Sequence, residues 1–493
     1  MTEAVPNLLL GIDLGTGSSK GVLTTPTGEV MAQATRHHDM SLPRPGWAEF
    51  DAEGVWWADV VALCQELLAQ TSGAEVAAVC VSGVGPCLLL CEGDKPVRPA
   101  ILYGIDLRAT AEIEELTERF GHDAILRRCG KLLSTQAVGP KMLWASRHEP
   151  ENFRRANRWY GSSSFAVSRL TGEYVMDHHT ASQCDPLYDI RRSSWATDWA
   201  TDVAEHLQMP RLAWPGETAG TVTEEAAAQT GLRRGTPVMT GTIDAWAEAW
   251  SAGVRNPGDL MVMYGSTMFM IHVPDVPRVH PLLWQTNGVE PGQQTMAAGM
   301  GTSGSLTAWV RRLTGDVPFD QLAYEAGQVP PGAEGLLVLP YFAGERTPVF
   351  DAKARGVIAG LTLRHGRGHL YRAAYEGVGY GVRQILEVMQ DGGDYVRRAV
   401  AVGGGTTARL WTQIVSDVCG LEQEVPAQTI GASYGDALLA ATGVGLVPPG
   451  TNWATVAERV IPDGSTHERY EEMFNLYAQL YPSTKHIVNE LTP

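Results

Sequence analysis

One local pattern is written twice in this chain. "LLLGIDLGTGSSKGVL" (residues 8–23) is an apolar run, a polar glycine-rich turn and a second apolar run, and "GDLMVMYGSTMFMIHV" (residues 258–273) repeats that order. A strand–turn–strand unit at the head of each half predicts a duplicated fold with a cleft between the halves. At 493 residues the chain is past the size at which a single core keeps growing, so two domains are expected. Pro257-Gly258 mark the junction, giving residues 1–256 and 257–493.

The first half reads as α/β. Leu8–Ile12, Gly21–Thr24 and Val30–Thr35 are short apolar runs joined by tight turns, which suits an antiparallel meander. An amphipathic helix follows over Val55–Gln70, then a buried strand over Val76–Gly85 and a helix over Ala109–Phe120. Alternating strand and helix builds layers around a sheet. Residues Glu149 to Glu217 are less periodic and read as helices and loops decorating the first domain. The net charge of −17 argues against a nucleic-acid or anionic-membrane surface. No apolar run is long enough to span a bilayer, and the N-terminus lacks the basic segment of a signal peptide. Seven scattered cysteines without C-x-x-C spacing read as reduced core thiols, so a soluble cytoplasmic protein is expected.

Three turns carry the chemistry. "GIDLGTGSSKG" (residues 11–21) fits neither the P-loop nor the dinucleotide template. Read as a hairpin, it offers glycines at 15 and 17 that allow positive φ, exposed amides, the Thr16, Ser18 and Ser19 hydroxyls, and the Lys20 charge. That set can ring an anion. Asp13 would repel a phosphate unless a divalent cation stood between them, which implies hydrated Mg²⁺. Gly265-Ser266-Thr267 repeats the amide and hydroxyl chemistry without an acid, and Gly403-Gly404-Gly405 leaves backbone bare for a flat adenine or its ribose.

With these turns, the whole chain resembles the FGGY carbohydrate kinases, members of the actin-like ATPase superfamily. Besides the first hairpin, the resemblance rests on "RPAILYGIDLRA", "RLTGEYVMDHHTAS", "TGTIDAWA", "PYFAGERTPVFDAKARGVIAGLTLRH" and "VGGGTTARLWTQIVSDVCG", in that order. It implies two actin-like, ribonuclease H-like domains of duplicated fold with an interdomain catalytic cleft. It also implies ATP-dependent phosphorylation of a sugar or polyol hydroxyl, with ATP and Mg²⁺ as cofactors. Asp244 in "GTID" matches the family's catalytic base, although an Asp before "AWAEAW" would also cap a helix. Asp13 matches the residue linked to Mg-ATP. Thr16, Gly17, Ser18 and Lys20, then Gly265, Ser266 and Thr267, then Gly404 and Gly405 match nucleotide-binding positions. Asp106 and Arg108 match a D-x-R segment beside the sugar, where an Asp–Arg pair could equally brace a loop.

The chain is most similar to the xylulokinase-like branch, through "RPGWAEFDAEGVWWADV" among other segments. It departs from that branch where the sugar should sit. Pro86 stands in place of a sugar-contacting histidine, Gly104-Ile105-Asp106 replaces "WND", and Trp246 and Glu248 replace smaller residues after Asp244. Missing polar partners can move a preference between substrates by several kcal/mol, about the cost of unpaired buried polar groups. A ketopentose such as xylulose is the first expectation. Ribulose, glycerol, erythritol or gluconate are the alternatives, followed by a non-catalytic sugar- or nucleotide-binding regulator. A homodimer is an open assembly.

Overall fold

Each repeated hairpin seeds a mixed sheet in the computed structural model, which describes residues 7–71, 75–204, 206–391 and 393–491. Strand β1 (Asn7–Leu14) pairs antiparallel with β2 (Ser18–Thr24), and β2 with β3 (Val30–His37). On its other side β1 runs parallel to β4 (Glu75–Gly83). The sheet is completed by β5 (Thr218–Thr221) and β6 (Pro237–Met239), in the order β3-β2-β1-β4-β6-β5. In the second half β7 (Asp259–Tyr264) pairs antiparallel with β8 (Met268–His272). Outside β8 lie β10 (Gln294–Met300) and then β9 (Trp284–Asn287). Parallel to β7 runs β11 (Arg398–Val402), followed by β12 (Gln423–Pro426) and the antiparallel β13 (Val456–Val460). Strand for strand the directions match, so the second sheet is the first with one added edge strand, β9. This is the duplicated α/β architecture that the repeat predicts.

Helix α1 (Ala58–Gln70) starts three residues later than Val55. A separate wide turn, Ala52–Trp57, precedes it, capped by the Asp51 carboxylate, which accepts the N–H groups of Glu53 and Gly54. The less periodic region also begins earlier than expected. Between β4 and β5 the chain builds a lobe with its own core, including Leu90, Leu116, Met142, Trp144, Trp159 and Leu187. This lobe supplies one wall of the cleft.

The two halves meet through helix α2 (Asp244–Ser251) and helix α3 (Ala432–Gly443). Although α3 comes from the second half of the sequence, it packs on β1 and β4 of the first sheet and against α2. The approach is backbone to backbone. A Cβ at Gly11 would lie 1.9 Å from the Ser433 carbonyl oxygen, and one at Gly435 would lie 2.0 Å from that of Ala247. Leu9, Val22 and Met239 from one sheet and Met261 and Val400 from the other share a single core with Tyr434, Ala437 and Leu438 of α3. All seven cysteines are free thiols, six of them buried. Among the described residues no helix is long and apolar enough to cross a membrane.

Candidate active site

The strand ends of β1, β4 and β6, and the hairpin between β7 and β8, open onto a cavity of about 220 Å³ between the halves. Asp244 is in its wall as the first residue of α2. One oxygen of its carboxylate accepts the Ala245 N–H at 2.8 Å, but Ile243 occupies the cap position, so Asp244 is not the helix cap that the sequence also allowed. Burial pushes the Asp244 carboxyl up to about 6. One turn later on α2, Glu248 lines the same cavity. Burial, then the neighbouring Asp244, raises it to about 7, opposed by Lys20.

Asp13, near the end of β1, is buried and lines the cavity, and its Oδ1 has no hydrogen-bond partner. Burial first, then the Asp244 and Asp436 charges, hold its carboxyl well above the usual range, while Lys20 pulls the other way. Lys20 stands directly opposite Asp13 across the β1–β2 ladder. A carboxylate at the wall of a polar cleft, with one oxygen left without a partner, is what a hydrated divalent cation would use. Among the described residues no three His, Cys, Asp or Glu side chains form a metal cage. Mg²⁺ needs none, since it commonly takes one or two carboxylates, waters and substrate phosphate oxygens. The donor set fits that ion.

The first hairpin differs in detail from the expectation. Neither Gly15 nor Gly17 has positive φ. Gly15 is constrained because a Cβ would sit 2.7 Å from the Ser18 carbonyl oxygen, whereas a Cβ at Gly17 would meet open space. Ser19 does not face the anion site, because strand alternation turns it to the other side of the hairpin from its neighbours. There its hydroxyl donates to Asp59 at 2.7 Å. His38 joins the same carboxylate at 2.8 Å and the Gly15 carbonyl at 3.0 Å. Thr16 pairs with the Tyr103 hydroxyl at 3.2 Å, and Ser18 is half-buried. The hairpin is thus fastened from behind by α1 and β3; Gly17 and Lys20 are exposed, and Thr16, Gly17, Ser18 and Lys20 are not among the residues that line the cavity.

The second hairpin presents Thr267 to the cavity, with Gly265 and the exposed Ser266 at the bend. The Ser266 carbonyl accepts the N–H groups of Ser303 and Ser305, and the Gly265 carbonyl accepts that of Gly304, each at 3.0 Å. In the third turn Gly403 has φ +90, and its Cβ would strike the Tyr264 carbonyl at 2.8 Å. Gly405 is pressed against Tyr264 and Trp411, and only Gly404 faces open space. A second, narrower void runs along this turn, lined by Gly403, Thr429 and Gly431, and meets the main cavity at Glu248.

On the sugar side the structure redistributes the expected contacts. Asp106 and Arg108 do not line the cavity; they form a buried brace. Arg108 donates to both oxygens of Asp106 at 2.7–3.0 Å and to Glu49 at 2.8 Å, and the Ala48 N–H takes a further Asp106 contact at 2.7 Å. Every strong acceptor of Asp106 is occupied, so the segment contributes Tyr103 and not its D-x-R pair. Pro86 lines a small void behind the wall with Ser162, Thr180 and Thr242, while Val84 and Gly85 face the cavity. Trp246 does line the cavity; its indole N–H donates to Thr295 of the other sheet at 2.9 Å and its ring lies 3.9 Å from that of His179. Gln136, Gln183, Phe269, Trp284 and Arg346 also line it; Phe269 and Arg346 lie within segments the sequence marks out, but none of the five was expected as a site residue.

Comparison with known proteins agrees with this geometry. The N-terminal domain of the FGGY family of carbohydrate kinases matches residues 8–250, and its C-terminal domain matches residues 260–444. Xylulose kinase of Escherichia coli strain K12 is 30% identical over 96% of this chain and 99% of its own length. Gluconokinase of Bacillus subtilis strain 168 is 26% identical over 96% of this chain and 94% of its own. The crystal structure of xylulose kinase from Rhodospirillum rubrum superposes with a TM-score of 0.89 at 30% identity, covering 98% of this chain and 100% of that one. The two sheets of matching topology, the cleft at their strand ends and these matches along nearly the whole length have one reading: the chain belongs to the FGGY family of carbohydrate kinases, with the actin-like fold, and is an ATP-dependent sugar kinase.

Proposed function

We propose that the chain phosphorylates a ketopentose such as xylulose, with Asp244 as general base. The observation that carries this reading is Asp244 itself: a carboxylate raised to about 6 by burial, at a helix start, in the wall of a cavity that both halves line with polar groups. A base with such a value is largely ionised at neutral pH yet still basic enough to take a hydroxyl proton. Residues 1–256 carry the sugar side and the base, and residues 257–493 the nucleotide side, apart from α3.

In this mechanism Tyr103, Gln136 and Gln183 hold the sugar hydroxyls, and Trp246 and Phe269 flank the carbon skeleton. Asp244 accepts the proton of one hydroxyl as its oxygen bonds to the γ-phosphorus and the bond from that phosphorus to the β–γ bridging oxygen breaks, releasing ADP. The transition state is loose and anionic, so alignment and charge neutralisation carry most of the rate. Lys20, Thr16, Gly17 and Ser18 receive one end of the polyphosphate, and Gly265, Ser266 and Thr267 the other. Gly404 and Gly405 lie along the adenosine. Asp13 would hold Mg²⁺, which when bound neutralises phosphate charge.

Pro86 and Ile105 favour a second reading within the same class, a kinase for another polyol or sugar acid. Both positions lack the polar side chains of the xylulokinase pattern, and a gluconokinase is among the relatives. Coupled ADP release over a panel of ketoses, polyols and aldonates tests both. The first reading requires xylulose to give the highest kcat/KM; a higher value for gluconate, glycerol or erythritol selects the second, and no stimulation by any sugar refutes both.

A further inference from the structure

We infer that Arg346 binds the phosphoryl group in flight, as a catalytic residue supplied by the second half of the chain. It rests on the reading of Asp244 and the two hairpins given above.

Arg346 is the one cationic side chain lining the cavity, facing a wall that holds Asp13, Asp244 and Glu248. Its guanidinium makes no hydrogen bond or ion pair among the described residues. Arginine is ordinarily paired when it points into a cleft, and five donors left unused there fit an anion that arrives from outside.

The side chain hangs freely, but the backbone that carries it is clamped. Glu345 is buried, and one of its carboxylate oxygens accepts the N–H of Gly301 at 2.8 Å and that of Arg346 at 2.7 Å. The backbones of Glu345 and Asp351 exchange two hydrogen bonds of 3.0 Å each, closing the segment into a loop. Asp351 is in turn held by the C-terminal helix α4 (His467–Leu491), accepting from the Tyr481 hydroxyl at 2.6 Å and the Asn489 amide at 3.2 Å. A Cβ at Gly301 would come within 2.6 Å of the Gly344 carbonyl, so the two loops touch.

The clamp ties Arg346 to the phosphate end of the cleft. Gly301 leads directly into Ser303, Gly304 and Ser305, whose N–H groups hold the Gly265–Ser266 bend. Tyr103 lines the same cavity as Arg346, Asp244 and Thr267, and its hydroxyl meets Thr16 of the first hairpin at 3.2 Å. Arg346 therefore stands where the two hairpins and the base converge. The carboxylate of a sugar acid, at the far end of the molecule from its reacting hydroxyl, would lie away from that point. A guanidinium placed here matches the equatorial oxygens of a transferring phosphoryl group, where arginines are worth orders of magnitude in rate.

Two measurements on Arg346→Met and Arg346→Lys decide the matter. In coupled ADP release, the Met variant should lose about 100-fold or more in kcat on every sugar the wild type accepts, with sugar KM within about 3-fold, and Lys should recover part. In a sugar-free arm, tryptophan fluorescence follows ADP binding with and without aluminium fluoride. Wild type should bind ADP more tightly with the fluoride, and the Met variant should lose that gain while keeping its affinity for ADP alone. Unchanged kcat, an unchanged fluoride effect, or a loss confined to the KM of aldonates would each overturn the assignment, the last pointing to a sugar carboxylate. Should the wild type turn over no sugar, the proposed substrate class fails, and the fluoride arm still decides the role of Arg346.

Discussion

The Asp436 carboxylate on α3 accepts the Ser82 hydroxyl at 2.6 Å and the Ser82 N–H at 3.2 Å, joining residues 354 positions apart in sequence. Ser82 is the β4 partner of Asp13, so this bond lies directly behind the cleft. Burial pushes Asp436 up to about 8, against the pull of its Ser82 contacts. An acid whose folded value lies above its unfolded one favours the folded state less as pH rises between the two. Asp436→Asn should therefore melt higher than wild type at pH 8, by about 2 °C, with the difference fading towards pH 4. Thermal melts across that range check it, and a difference independent of pH would contradict it.

Asp244→Asn keeps the shape of the side chain and removes the base. Sugar phosphorylation should fall by about 10³-fold or more while ATP affinity changes little. Near-normal turnover in this variant would remove Asp244 from the proton path.

The pH profile of kcat/KM should have an acid limb near pH 6, because Asp244 must be ionised to accept a proton. Activity rises as pH climbs through that value. Glu248, raised to about 7 by burial and then by the Asp244 charge, is mostly neutral while Asp244 ionises, so Glu248→Gln should leave the limb near pH 6. A limb that moves by about one unit or more in the variant would show that Glu248 is already charged when Asp244 loses its proton.

Asp59 is remote from the reacting atoms but holds Ser19 and His38, which together brace the first hairpin. Asp59→Ala leaves two partners unpaired, a cost of about 1–3 kcal/mol in stability. A loosened hairpin positions phosphate less well, so ATP KM should rise about 5-fold with sugar KM unchanged. Equal changes in both constants would argue for general unfolding instead.

The sheets and the hairpins were legible because they are local: an apolar run, a glycine turn and a second run report their own folding. The cleft position of Asp13 and Asp244 was legible as well, since each sits at the end of a strand or the start of a helix. Residues acting at a distance were not. Ser19 and Ser18 look alike in the sequence, and only the pleat decides that one meets Asp59 and the other stays at the front. Asp106 and Arg108 carry a recognisable spacing, yet the spacing cannot say that Glu49 and Ala48 will saturate them. Tyr103 and Arg346 lie in recognisable segments and Gln136 and Gln183 do not, and none of the four segments announces that they will share one wall in three dimensions.

The seating of α3 on the first sheet sets a timetable for synthesis. Tyr434 donates its hydroxyl to the Gly28 carbonyl at 2.8 Å, across 406 positions of chain. A ribosome releases β1 and β2 long before the helix that covers them, a delay of roughly 20–80 s at ordinary elongation rates. Until then Leu9, Val22 and Met239 lack their cover. The nascent first half is an unfinished sheet with an apolar face open to its neighbours on the polysome, and its native form waits on a helix made much later.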